Sequence, residues 1–408
     1  MGIRKNFDLT EIIARILEAR SNPGSGVVAF RGFDIDNVLA VLETAVAFDP
    51  QIPEISRRAL IFNAATEFAG KAKPDRAALT RSLDVAEAEY LSRPATPYVF
   101  VSSIGIRRIN AAKQATIRGS RICLSASLPV KYDLSALPEN IKAILRNTPN
   151  FLTNFCVHVR ARDVVAAREQ ASFVSDLLRG MWNFTLNSAV AGRSSSGRTR
   201  PVNTILLGPV QTLHNADGTL ATESLWYDEL PLRGSWIYAA SKKWTMLDKW
   251  ERRVRQILRE IPYRAEIENS FVRYVRACDF ADHAVSFGRL WAVLEHLTGA
   301  DGDYDKLVKR CIFLSHKSDR EFDRLILEHL REVRNGLVHH DRSRSWMQTY
   351  LYQLKYYVEQ VLLFHLKTGQ RYASLQEAVH FLDHPTDDVL LRSRIAGMQH
   401  ALRLHGKA

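Results

Sequence analysis

Residues 330–341 read Leu330-Arg331-Glu332-Val333-Arg334-Asn335-Gly336-Leu337-Val338-His339-His340-Asp341, so an arginine, an asparagine and two adjacent histidines fall close together. On a helix, Asn335 and His339 are four apart and share a face. Arg334 and His339 are five apart, about 140° round the axis, an offset that an arginine side chain can span. A histidine gives or takes a proton near neutral pH. An arginine holds a phosphate oxygen through paired hydrogen bonds and stabilises charge developing on it. Together they can cut RNA without a metal: a 2′-hydroxyl attacks the adjacent phosphate while the histidine moves the proton. The same residues have a plainer reading, in which Arg334 bridges to an acidic neighbour and His339 caps a helix C-terminus, where a cation suits the dipole. Gly336 costs about 1 kcal/mol inside a helix relative to alanine. It therefore predicts a helix end, or a close approach by another backbone or a ligand.

The run Arg334-Asn335-Gly336-Leu337-Val338-His339 resembles the Arg-polar-x-x-x-His signature of the HEPN (higher eukaryotes and prokaryotes nucleotide-binding) superfamily. Upstream, Ala281–Leu297, with Trp291, Leu294 and Glu295, resembles the tryptophan…leucine-glutamate helix of the ApeA-like HEPN branch. The likeness covers roughly residues 262–370. It implies an all-α bundle that dimerises with its motif helices facing each other, each protomer adding one arginine and one histidine to a shared cleft. Carried over by position, Arg334 binds and polarises the phosphate, His339 transfers protons and Asn335 orients or contacts the backbone. Glu295 and His340 are supporting candidates. The implied activity is that of a metal-independent endoribonuclease acting on RNA, in anti-phage defence or as a toxin, with a phage-derived or stress trigger and no cofactor. The alternative is a non-catalytic HEPN module that binds nucleic acid or nucleotide, or dimerises. Some HEPN toxins carry a tyrosine two residues after the histidine. Asp341 occupies that position here, which argues against that toxin–antitoxin subtype.

Composition fits a polyanionic partner. Lys+Arg number 56 and Asp+Glu 44, a net charge of +12, which favours nucleic acid first and a membrane surface second. At 408 residues, 46% hydrophobic and 25% charged, the chain is long enough for two or three domains and reads as globular rather than disordered. The four cysteines, Cys123, Cys156, Cys278 and Cys311, include no CxxC pair, so they read as reduced core residues. His283, His296, His316 and His329 form no HExxH or paired-ligand spacing, and no metal is expected. The segment Met1–Asp8 lacks a signal peptide's apolar core. No apolar run reaches the roughly 20 residues needed to span a bilayer. A cytoplasmic location without membrane contact is the expectation.

The elements that must position these groups give an α+β chain. Residues 1–92 read as a helical segment. Ile12, Ile13, Ile16 and Leu17 recur at helical spacing, Asp34 or Asp36 caps a helix from Val38, and Arg57–Lys71 and Pro74–Leu91 follow. Residues 93–240 read as a mixed α/β region that senses a trigger or selects RNA. Its strands are Tyr98–Ile106, Ala115–Leu128, Phe155–Ala161, Asn203–Leu213 and Leu220–Tyr227, and a helix capped by Asp163 runs from Val164 to Leu186. The basic loop Gly192–Pro201 lacks a P-loop's lysine. It is either a solvated connector or, through Arg193, Arg198 and Arg200, a grip on an RNA backbone. Residues 241–370 read as the HEPN helical domain: Trp244–Ile261, Phe271–Leu297 broken near Cys278-Asp279, Tyr304–Leu314, Phe322–Arg334 and Trp346–Lys367. Residues 371–408 add a tail of two short helices around Pro385.

Overall fold

The computed structural model describes the chain apart from residues 1, 5–6, 22–27, 108, 110–111, 133, 135–136, 150–151, 190–199, 228–243, 341–345 and 407–408, and apart from the side chains of 338–340. Four helices open the fold: α1 (Leu9–Ala19), α2 (Gly32–Ala45), α3 (Glu54–Ala69) and α4 (Arg76–Ser92). Asp8 accepts from the Thr10 N–H at 2.9 Å and Asp75 from the Ala78 N–H at 2.7 Å, satisfying donors that a helix start leaves open. The apolar faces close on a core of their own around Ile16, Leu42, Ile61, Phe68 and Leu79. Short antiparallel pairs, β1 (Gly2–Ile3) with β4 (Val46–Ala47) and β2 (Arg20–Ser21) with β3 (Ala29–Phe30), tie the helix ends together. One boundary differs from the sequence reading. α2 starts at Gly32 rather than Val38, and Asp34 lies in its first turn. An aspartate there also suits the positive helix end, so its presence does not fix the start.

A six-stranded antiparallel sheet follows: β5 (Thr96–Arg107), β6 (Lys113–Ile117), β7 (Ser120–Ser125), β8 (Leu152–Ala161), β9 (Val210–Asn215) and β10 (Trp226–Tyr227), in the order β10-β9-β5-β8-β7-β6. Val99 lies opposite His158 and Val101 opposite Cys156. Both faces are covered, so β5 is apolar at consecutive positions instead of alternating. Phe100, Ile104, Phe155 and Val157 join the main core with α6 (Val164–Leu186). Val99, Val101 and Cys156 pack against Tyr132, and α5 (Glu139–Asn147) adds Ile141 beside Val210.

The reading of Asn203–Leu213 and Leu220–Tyr227 as full strands is corrected. Only β9 and β10 form, with isolated bridges at Leu207 and Leu220. Side chains of α6 take the backbone groups of 204–205 away from any ladder. Asn183 accepts from the Ile205 N–H at 2.8 Å and donates to the Ile205 carbonyl at 2.9 Å, and Asn187 accepts from the Thr204 N–H at 3.0 Å.

The rest of the described chain is helical: α7 (Trp244–Glu260), α8 (Arg264–Cys278), α9 (His283–Thr298), α10 (Tyr304–Phe313), α11 (Arg320–His340), α12 (Met347–Thr368), α13 (Leu375–Phe381) and α14 (Asp388–Leu404). The chain is therefore α+β, with the expected break at Cys278-Asp279. One apolar core runs from the sheet through α6 into α8, α9 and α12, through Phe155, Leu177, Phe271, Trp291 and Leu354. A Cβ on Gly180 of α6 would stand 2.8 Å from the Phe271 carbonyl oxygen of α8, so these helices meet backbone to backbone. Gly336 does not end α11, which continues to His340. Leu327, Leu330 and Val333 are buried on the same helix, and their packing outweighs one glycine. Among the described residues no helix is long and apolar enough to cross a membrane.

Gly180→Ala should destabilise the fold by about 2 kcal/mol, because a methyl group must be forced against backbone; urea unfolding measures it, and a neutral effect contradicts the contact. His365 is fully buried, its Nε2 3.0 Å from the Leu297 carbonyl and its Nδ1 3.0 Å from the Tyr263 hydroxyl. These partners make it the neutral tautomer that donates from Nε2. Burial pushes its pKa down to about 4, against about 6.5 unfolded. The unfolded chain therefore takes the proton first as pH falls, so the contribution is whole above about pH 6.5 and lost towards pH 4. Wild type should lose about 3 kcal/mol more than His365→Gln between pH 7 and pH 4; equal losses would refute the assignment.

Candidate active site

The motif lies on the C-terminal half of α11, a helix that buries Leu327, Leu330 and Val333 and leaves Arg334, Asn335, Gly336 and Leu337 half-buried. One turn earlier, Arg331 is engaged by two carboxylates, Asp305 at 2.9 Å and Glu328 at 2.9 Å. Arg334 differs. Its guanidinium lies 5.2 Å from the centre of the Tyr304 ring, at the start of α10, and among the described residues no carboxylate comes within ion-pair distance. A ring face holds an arginine without neutralising it. Arg334 is thus positioned, and among the described residues no hydrogen bond or ion pair occupies its guanidinium.

The ring is itself fixed. Tyr304 meets Trp291 of α9 edge to face at 5.8 Å, and Trp291 stacks with Phe287 at 6.2 Å. Asp303 sets the start of α10 by accepting from the Lys306 N–H at 3.0 Å. Glu295 lies one turn beyond Trp291 and accepts from its indole N–H at 3.1 Å. Its link to Arg334 therefore runs through Trp291 and Tyr304 rather than through an ion pair. α9 is held at both ends: Asp282 caps its start, and Gly299, at φ +55°, turns the chain out of it. The fully buried Arg310 donates to the Thr298 and Gly299 carbonyls and pairs with Asp383 at 2.6 Å.

Of the residues singled out by sequence, Arg334, Asn335 and Glu295 sit on two packed helices, α11 and α9. The backbone of His339 and His340 continues α11, but their side chains lie outside the described residues, as do Arg193 and Arg198 entirely. Arg200 is exposed, and its carbonyl accepts from His283 Nε2 at 3.0 Å, which anchors the chain at the start of α9. His329 packs edge-on to Tyr350 at 4.8 Å, and burial lowers the pKa of His296. Among the described residues no three His, Cys, Asp or Glu side chains gather as a metal site.

A second concave region, missed in the sequence, lies where the first four helices meet the sheet. This cleft of about 450 Å³ is lined by Arg118, Arg160, Arg162, Tyr90, Phe173 and Glu169, among others. Arg118 sits at φ +47° beside Gly119 in the β6–β7 turn, 4.6 Å over Phe173 and 2.5 Å from Glu268. An Arg-Gly pair between two short strands marks that turn, and alternation puts Arg160 and Arg162 on one side of the chain.

The ring beneath Arg334 is testable. Tyr304→Leu should cost about 1 kcal/mol through the lost cation–π and edge contacts. Tyr304→Phe should change stability by less than about 0.5 kcal/mol, because the hydroxyl has no hydrogen-bond partner among the described residues. Chemical denaturation of the two variants decides it; equal costs would place the interaction in the hydroxyl. No family model, no curated protein and no solved structure matches this chain.

Proposed function

We propose that this chain is a homodimeric, metal-independent endoribonuclease of the HEPN type. One observation carries the reading: Arg334 is half-buried and held by an aromatic face with no carboxylate partner among the described residues, on a helix that continues unbroken to His339. An arginine kept charged, positioned and unneutralised suits a phosphodiester. The 2′-oxygen bonds to phosphorus as its proton passes to an imidazole, the P–O5′ bond breaks, and the leaving oxygen takes a proton. Arg334 binds the non-bridging oxygens and stabilises the charge that builds on them. His339 carries the proton, and Asn335 orients the RNA backbone. The products are a 2′,3′-cyclic phosphate and a 5′-hydroxyl. The motif helices of two protomers face a shared cleft, and the net charge of +12 draws the RNA. The setting is cytoplasmic, in anti-phage defence or as a toxin, and residues 1–240 select RNA or receive a phage-derived or stress trigger.

RNA cleavage in EDTA tests this. Wild type should cleave and leave 2′,3′-cyclic ends, and folded His339→Ala and Arg334→Ala should each lose roughly 100-fold or more. Unchanged cleavage in either variant removes that residue from the mechanism.

A further inference from the structure

α14 buries none of its residues. Leu391, Ile395, Met398 and Leu402 are between 36% and 57% exposed. Most helical stability in proteins comes from packing an apolar face, and this 17-residue helix has no buried face within its own chain. The four apolar residues recur at the alternating four- and three-residue spacing of a coiled-coil seam. We propose that α14 pairs antiparallel with α14 of a second copy of this chain, about a two-fold axis passing between Ala396 and Gly397.

The sequence of the stripe selects this occupant. A two-fold interface must be complementary to itself, with residue i on j and j on i. Reversing α14 about the point between Ala396 and Gly397 puts Leu391 opposite Leu402 and Ile395 opposite Met398, so every seam position meets another seam position. Charge agrees with the direction. Asp387 and Asp388 begin the helix, while Arg403 and His405 end it. Antiparallel pairing brings the acidic start of one copy to the basic end of the other and opposes the helix dipoles. Parallel pairing would stack Asp388 on Asp388, Arg392 on Arg392 and Arg394 on Arg394. The groove of about 510 Å³ between α10, α11 and the start of α14 has Leu390 on its wall, and none of the four stripe residues lines it.

The contact does not rest on the nuclease reading, and its test reads cross-links rather than cleavage. Leu391→Cys, Leu402→Cys and the double variant are oxidised with diamide in the full-length protein, beside wild type with its native cysteines. Circular dichroism checks the fold of each. Within one helix the two positions are about 16 Å apart, too far for an internal bridge. The double variant should run mostly as a covalent dimer, while each single variant stays near the wild-type background. A double variant that stays monomeric overturns the proposal. Efficient dimerisation of Leu391→Cys alone overturns it too, because it would put like positions together in a parallel pair.

Discussion

At Gly180 the backbones of α6 and α8 come within contact of each other, because residue 180 has no side chain. This approach lies within the larger core, beside Met181 and Phe271. It turns the neighbouring Arg179 into a junction that is 2% exposed. There its guanidinium holds Asp176 at 2.6 Å and Asp279 at 2.9 Å. Arg276 also reaches Asp176, at 2.7 Å, and Asn203 donates to Asp279 at 2.7 Å. Buried charges are tolerated only when each finds its partner, and removing one leaves the others stranded. The network therefore fixes the end of α8, the turn into α9 and the segment at 203–205 in one arrangement.

α8 and α12 hold α9, and α9 carries Trp291 and Glu295. Trp291 steadies Tyr304, and Tyr304 carries Arg334. An arginine in an ion pair, as Arg331 is with Asp305 and Glu328, offers an incoming phosphate little. One held on a ring keeps its charge and its donors. The contrast between two arginines on one helix, one turn apart, is what gives the motif its chemical interest. Neither residue type nor spacing distinguishes them.

Much of the fold was legible because its signals are local. Asp163 at the end of a strand marks the start of α6. The apolar spacing on α8, α9 and α12 reports their buried faces. Local signals failed where tertiary contacts decide. Asn183 and Asn187 take backbone groups of 204–205 that a strand would have used. Gly336 stays helical because Leu327, Leu330 and Val333 anchor its helix. α5 went unread, since Ile141 is its one buried residue. The candidate site was read as a motif of Arg334, Asn335 and His339, and the structure places the first two of these side chains on α11. The aromatic support was not legible, because Tyr304 and Trp291 come from two other helices. The cleft of Arg118, Arg160 and Arg162 joins a hairpin turn to the end of a distant strand, a proximity that only the sheet order β8-β7-β6 creates.

The proposed chemistry needs Arg334 and His339 from two protomers to act on one phosphodiester in a shared cleft. Subunit complementation tests it most directly. Folded Arg334→Ala and His339→Ala proteins are mixed, allowed to exchange subunits, and assayed for RNA cleavage in EDTA. The mixture should cleave where neither variant does alone, because a mixed dimer keeps one arginine and one histidine across its interface. A mixture as inactive as its components, under conditions where wild type cleaves and mixed dimers form, would contradict it.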